Sequence, residues 1–156
     1  MIVTTKTLYD TDFNQWLEEQ VQLLRDRQLN NLDIENLIEE IESLGKSDKR
    51  QLKSRLEVLL HHLLKWQYQP TQRTGSWKGT IAEQRRRIRD LLLDSPSLRS
   101  YVETVSNACY ADARDQASLE TGLSLDHFPA DCPYANDLSS RWRFADVLNP
   151  DFWPEN

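Results

Sequence analysis

The chain has 156 residues, of which 38% are apolar and 28% are charged, a balance that suits one soluble domain with a modest core. No apolar run approaches the roughly 20 residues that span a bilayer, and residues 1–9 lack the apolar stretch of a secretory signal. We therefore expect a cytoplasmic protein without a membrane partner. The formal net charge of −6 argues against a protein whose whole surface binds nucleic acid. Cys109 and Cys132 form no CxxC pair and have no histidine at metal-ligand spacing, so we expect free thiols, no metal and no cofactor.

The first third of the chain predicts two helices. We expect the first over about residues 12–28, with Thr11 as its N-cap, and a second that Asp33 caps. Apolar residues at helical spacing form one face of each. They are Phe13, Trp16, Leu17, Val21 and Leu24 in the first helix, and Ile34, Leu37, Ile38, Ile41 and Leu44 in the second. Gly45 marks either the end of the second helix or a bend, after which Ser47 and Asp48 can cap a new helix.

Three further helices are predicted in the middle of the chain. The third runs to about Tyr68 with a wide leucine band, which indicates a central, well-buried element, and Pro70 terminates it. The fourth covers about residues 77–94, with Ile81, Ile88 and Leu92 spaced by turns. Ser95 and Pro96 predict the start of the fifth, and Gly122 its C-terminal stop. The predicted core face of the fifth helix is Leu98, Tyr101, Val102, Val105, Ala108, Cys109 and Leu119.

The remaining segment, residues 122–156, holds four of the six prolines and several aromatic residues. We expect an irregular tail with short helical turns that buries its aromatic side chains against the helices. These aromatic residues are Phe128, Tyr134, Trp142, Phe144, Phe152 and Trp153. The sequence thus predicts an all-α, single-domain bundle of about five helices, with an N-terminal arm over residues 1–10, the bundle over 11–121 and a wrapping tail over 122–156.

Six sequence runs give the chain a family resemblance. They are LYDTDFNQWLEEQVQLLR (8–25), LDIENLIEEIESLGKSDKR (32–50), LEVLLHHLLKWQYQP (56–70), SWKGTIAEQRRRI (76–88), DSPSLR (94–99) and DFWPE (151–155). On these runs the chain resembles the cyanobacterial domain-of-unknown-function family twenty-nine. The resemblance implies an all-helical domain, carried in many copies by some bacteria, and no activity that transfers to particular residues. Residues 139–148 depart from the shorter link expected before DFWPE.

Charged residues are concentrated in two of the predicted helices. Arg85, Arg86 and Arg87 are adjacent, so they fan around the fourth helix instead of forming one stripe. They indicate either an anion site, for instance for nucleic-acid phosphate, or a solvated and internally paired cluster. Glu35, Glu39 and Glu42 follow one another along the second helix. We expect Glu35 or Glu42, which border the apolar stripe, to pair with an arginine of the Arg85 helix.

Metal and nucleophile chemistry have weaker signals. Glu57 and His61 lie four residues apart and His62 adjoins them, but the Glu-x-x-His spacing of bundle metal centres is absent. We expect His62 to be bonded to a carboxylate or exposed, and Cys109 to pack in the core. Asp112 projects toward the same stripe as Cys109 and is a candidate buried acceptor. No nucleophile-elbow or phosphate-loop motif occurs in the sequence.

Aromatic residues flank the connector between the third and fourth helices. Trp66, Tyr68 and Trp77 either stack on single-stranded nucleic acid beside the arginines or close the end of the bundle, and we favour closure. Two functions follow from the sequence. The first is a protein-binding or regulatory module whose partner is another protein or a second copy. The second is a nucleic-acid-binding protein or metal-dependent nuclease that uses Glu35, Glu39 and Glu42 with Arg85 and Arg86.

Overall fold

The computed structural model describes residues 6–133 and 144–155. Six α-helices are present in this part of the chain, four of them long, and no strand occurs in it. The helices are α1 (Leu8–Thr11), α2 (Phe13–Arg25), α3 (Ile34–Tyr68), α4 (Gly75–Asp94), α5 (Leu98–Thr121) and α6 (Phe144–Leu148). Short 3₁₀ segments cover Leu29–Asn31, Pro70–Gln72 and Leu125–His127. The all-α prediction is confirmed.

The residues group into two compact units, which we call unit 1 (residues 1–46) and unit 2 (residues 47–156). The boundary falls inside α3, so residues 34–46 of this helix belong to unit 1 and residues 47–68 to unit 2. The single-domain organisation stays a prediction.

In unit 1 the short helix α1 covers Leu8–Thr11, most of which falls within the predicted N-terminal arm over residues 1–10. Thr11 is the last residue of α1, and the N-cap of α2 is Asp12, whose carboxylate accepts a hydrogen bond from the Gln15 amide at 3.0 Å. The prediction of Thr11 as the cap is therefore wrong by one residue. Aspartate satisfies an amide at the start of a helix as well as threonine does, so sequence preference does not separate the two.

Helix α3 is continuous over 35 residues. The prediction that a new helix begins at Ser47 and Asp48 is wrong, because α3 continues through Gly45. A glycine inside a helix costs only about 1 kcal/mol relative to alanine, and strong helix formers on both sides outweigh that cost. The structure therefore fuses the second and third predicted helices into one element.

The core of unit 2 is built on the second half of α3, as the leucine band predicts. Its leucines are completely or almost completely buried together with Ile81, Ile88 and Leu92 of α4, and with Leu98, Val102 and Cys109 of α5. The buried leucines of α3 are Leu52, Leu56, Leu59, Leu60, Leu63 and Leu64. Cys109 packs in this core as expected, and burial raises its thiol pKa to about 12.

The C-terminal end of α5 agrees with its prediction, whereas the N-terminal end does not. Ser95 is the C-cap of α4 and Ser97 precedes α5, so the predicted start at Ser95 and Pro96 is wrong. Gly122 ends the helix with φ +72°, a left-handed conformation that glycine adopts without steric cost, which confirms its predicted role. Leu119 is 79% exposed, so it does not belong to the core face.

The tail packs against its own chain in the described residues. Phe128 is fully buried, and the Tyr110 hydroxyl donates to the Pro129 carbonyl at 2.6 Å. The Gln67 amide donates to the Glu155 carbonyl at 3.2 Å. The short helices predicted for the tail are present as α6 and the 3₁₀ segment Leu125–His127. Tyr134 and Trp142 lie outside the described residues.

Candidate protein-interaction surface

The apolar stripe of α2 is exposed, with one exception. Phe13, Leu17, Val21 and Leu24 are each between 36% and 48% exposed, whereas Trp16 is 3% exposed. At 100° per residue, the four exposed side chains fall within an arc of about 80° on the helix. The helix therefore presents a continuous apolar stripe to solvent, next to the line on which Trp16 is buried.

The first part of α3 carries a second exposed apolar stripe. Ile34, Ile38, Ile41 and Leu44 are between 49% and 69% exposed. They fall within an arc of about 120°, so they too share one face. We call these four residues together with Phe13, Leu17, Val21 and Leu24 the apolar stripes of unit 1. Large apolar patches on a soluble protein usually mark an interaction site.

Hydrogen bonds fix the helices that carry the stripes. The Trp16 indole donates to the Asp33 carboxylate at 3.0 Å, and the side-chain oxygen of the buried Gln20 accepts from the Asp33 amide at 2.8 Å. The Tyr9 hydroxyl donates to the Glu40 carboxylate at 2.5 Å, and this bond is the main reason why the pKa of Tyr9 rises to about 12. These hydrogen bonds connect α1 and α2 to the start of α3, while the apolar stripes of unit 1 remain exposed to solvent.

Unit 1 is also strongly acidic. Residues 1–46 contain ten acidic and four basic side chains, whereas residues 47–156 contain fifteen of each. Unit 1 thus carries the whole formal net charge of −6. Glu35, Glu39 and Glu42, the predicted polar cluster, are exposed on α3. At 100° per residue, Glu35 and Glu42 border the apolar stripe of this helix and Glu39 lies further round.

Arg85 has a different environment from the one predicted. It is 1% exposed, and it donates to the carbonyl oxygens of Val147 at 2.7 Å and Phe152 at 2.6 Å. Its guanidinium also lies 5.2 Å from the ring centroid of Trp153. Both of these acceptors are main-chain oxygens of the tail. The buried side chain fastens the tail and is not accessible to an external phosphate.

Arg86 and Arg87 are on the surface and paired within their own helix. Arg86 contacts Glu83 at 3.0 Å and Asp90 at 3.3 Å, and Arg87 donates to Glu83 at 2.8 Å. The two arginines lower the pKa of Glu83 through these hydrogen bonds. The internally paired alternative for this pair of arginines matches the structure, because their nearest carboxylates lie one turn away.

A polar cluster in unit 2, which the sequence does not predict, joins the buried Lys65 and His61 to Glu120, whose side chain is 39% exposed. The Glu120 carboxylate accepts from Lys65 at 2.7 Å and is bonded to the His61 ring at 2.9 Å, although Lys65 and His61 are each only 6% exposed. Burial lowers the pKa of His61 to about 4. Partial burial alone would raise the pKa of Glu120, but hydrogen bonds from Lys65 and Gln116 lower it to about 2. The cluster joins α3 to α5 as a structural contact.

His62 and Asp112 are not where the sequence placed them. The His62 ring is bonded to the Val58 carbonyl at 2.9 Å and not to a carboxylate, and Asp112 is exposed. A cavity of about 200 Å³ is lined by Glu57, His61 and Asp112 among others. Within residues 6–133 and 144–155, no group of three or more His, Cys, Asp or Glu side chains could hold a metal ion.

The aromatic residues around the connector pack against the core and the tail. Trp66 and Trp153 have ring centroids 4.7 Å apart, and Tyr68 contacts the buried Phe128 edge-on. The Lys65 ammonium lies 4.5 Å from the Trp77 ring centroid. All three connector aromatics are partly buried, and Trp66 and Tyr68 pack against the core of unit 2.

These features define a class: an all-helical protein with an acidic, apolar-striped N-terminal unit and a well-packed second unit. No described helix combines the length and the apolarity needed to cross a membrane. The family model described as "Domain of unknown function DUF29" matches residues 8–153. The chain belongs to this family, which confirms the resemblance found in the sequence. The comparisons with curated proteins and with solved structures gave no match.

Proposed function

We propose that the chain is a protein-binding module, and that the apolar stripes of unit 1 bind a basic amphipathic segment of another protein. The observation that carries the proposal is the exposure of eight large apolar side chains on α2 and the first part of α3. Burying such side chains stabilises a complex by roughly 25 cal/mol per Å² of apolar area. The stripes therefore offer the main driving force for association.

The charge of unit 1 selects the kind of partner. Ten acidic side chains against four basic ones give the stripes a negative surrounding. A partner with lysine or arginine beside its own apolar face gains complementary charge, which speeds association and improves specificity. Nucleic acid and anionic membrane surfaces carry the same sign as unit 1 and are disfavoured.

A second copy of the chain is a poorer partner for the same reason. A symmetric contact places the same patch of both copies face to face. Two acidic surfaces such as those bearing Glu35, Glu39 and Glu42 would then meet. Like charges across an interface oppose association, so we favour a different protein over a homodimer.

The test uses the full chain and a synthetic helical probe. A labelled peptide carries leucines at i, i+3, i+4 and i+7 with lysines and arginines on its flanks, and a second peptide keeps the leucines but replaces the basic residues with glutamate. Fluorescence anisotropy measures both affinities at two salt concentrations. We expect the basic peptide to bind more tightly by about tenfold or more, and added salt to reduce the difference.

Two matched variants locate the binding site. Ile38→Ser with Ile41→Ser should weaken the basic peptide by about tenfold or more. Leu93→Ser with Leu119→Ser changes two leucines of unit 2 that are 73% and 79% exposed, and it should leave the affinity unchanged. Equal affinities for the two peptides, or wild-type affinity in the stripe variant, would overturn the proposal. So would a homodimer in sedimentation that Ile38→Ser with Ile41→Ser dissociates.

A further inference from the structure

A groove of about 450 Å³ lies in unit 2, where α3 faces α4. Its lining includes Ser47, Arg50, Gln51, Ser54 and Arg55 from α3, and Gln84 from α4. The α3 residues recur at helical spacing over two turns, so they share one face of the helix. No residue of the apolar stripes lines this groove, and Arg85 is not part of its lining.

The polar side chains that line the groove are either neutral or positively charged. It offers two guanidinium groups, two hydroxyls and two side-chain amides, and it contains no carboxylate. The segment 46–55 has five basic residues and one acidic residue, Asp48. Because hydrogen-bond donors dominate the groove, it is suited to an anion.

One of the two arginines is held in place. The Arg55 guanidinium donates to the Gln84 side-chain oxygen at 3.3 Å, and the side chain is half-buried. The nearest acidic residue after it on α3, Glu57, contacts Lys53 at 3.7 Å. A guanidinium fixed by a neutral amide keeps its full charge and its remaining donors for a ligand.

We propose that this groove binds a small ligand that carries a phosphate group. Arginine presents donors in a planar fork that matches two phosphate oxygens, and the serine hydroxyls can serve the third. The volume falls within the range of about 300–1,000 Å³ of small-molecule sites. A polynucleotide is a weaker candidate, because it needs an extended row of basic contacts, whereas unit 2 has equal numbers of acidic and basic residues.

Titration calorimetry on the full chain tests the proposal, with inorganic phosphate and a nucleoside triphosphate as separate ligands at low salt. We expect both to bind, and Arg50→Gln with Arg55→Gln to weaken both by about tenfold or more. The matched control is Arg86→Gln, which removes a half-exposed arginine outside the groove and should change affinity by less than about twofold. Thermal unfolding verifies that each variant is folded.

A second variant keeps the test decisive if the double arginine variant does not fold. Ser54→Leu fills the groove without removing a charge and should also weaken both ligands. Absence of binding by either ligand at millimolar concentration, or unchanged binding in every groove variant that folds, would overturn the proposal. It would also fail if a single-stranded oligonucleotide bound far more tightly than the nucleotide and lost affinity in the same variants.

Discussion

Units 1 and 2 use similar amphipathic helices in opposite ways, and α3 contains both cases. Ile41, in the part that belongs to unit 1, is 67% exposed, whereas Leu63, in the part that belongs to unit 2, is fully buried. Both residues belong to apolar stripes with helical spacing. The comparison teaches that such a stripe predicts a helix with an apolar face, but does not predict whether the same chain covers that face.

The largest expected effect separates the two parts of α3. Leu63→Ala should lower the free energy of unfolding by about 2–5 kcal/mol, because it leaves a cavity in the core. Ile41→Ala should change it by less than about 0.5 kcal/mol, because the side chain is already largely in water. Urea unfolding of both variants measures the difference. A loss of more than about 2 kcal/mol in Ile41→Ala would mean that the chain itself buries this stripe, which removes the contrast between the units.

The next effect concerns the polar cluster of His61, Lys65 and Glu120 in unit 2 and its response to pH. The folded-state pKa of His61 is about 4, below its ordinary 6.5, so the unfolded chain takes up a proton that the folded chain resists. Stability should fall as the pH drops from about 6.5 to 4. Glu120, with a folded pKa of about 2 against 4.5, should extend the loss from about 4.5 down to 2.

His61→Gln isolates the upper part of this pH range. The free energy of unfolding, measured between about pH 7 and 4.5, should fall less steeply in His61→Gln than in the wild type. The slope that remains includes the contribution of His62, because burial lowers the pKa of His62 as well. His127→Gln, which changes an exposed histidine, is the matched control. If the free energy of unfolding of His61→Gln fell as steeply with pH as that of the wild type, the pKa of His61 would not be lowered by burial in the folded protein.

The smallest effect compares one glycine from each unit. Gly45 lies inside α3, and no neighbouring group comes within 4 Å of the place that a Cβ would take, so Gly45→Ala should stabilise the protein by about 0.5–1 kcal/mol. Gly122 has φ +72°, so Gly122→Ala should destabilise it by about 1–2 kcal/mol. Thermal unfolding shows both shifts. A destabilising Gly45→Ala would indicate that α3 is not regular at the junction of the two units.

The sequence predicts most residues of the candidate site, but it does not predict that their side chains are exposed to solvent. The stripes and the glutamates Glu35, Glu39 and Glu42 were identified by spacing alone. Spacing does not predict that these side chains are exposed, because exposure depends on which surfaces the rest of the chain covers. The sequence predicts a pair between Glu35 or Glu42 and an arginine of the Arg85 helix, but it does not predict the hydrogen bonds from Arg85 to the main-chain carbonyls of residues 147 and 152. Every residue has such a carbonyl, so sequence offers no signal for this contact.

The sequence by itself determined the all-helical class, the buried leucine band of α3, the stop at Gly122 and the membership of the family. These features depend on periodicity and on local backbone preferences, which act over a few residues. Only the tertiary structure decided that Lys65 and His61 meet Glu120, and that the stripes of unit 1 stay exposed. Those outcomes depend on contacts between residues far apart in the chain, for which local preference carries no information.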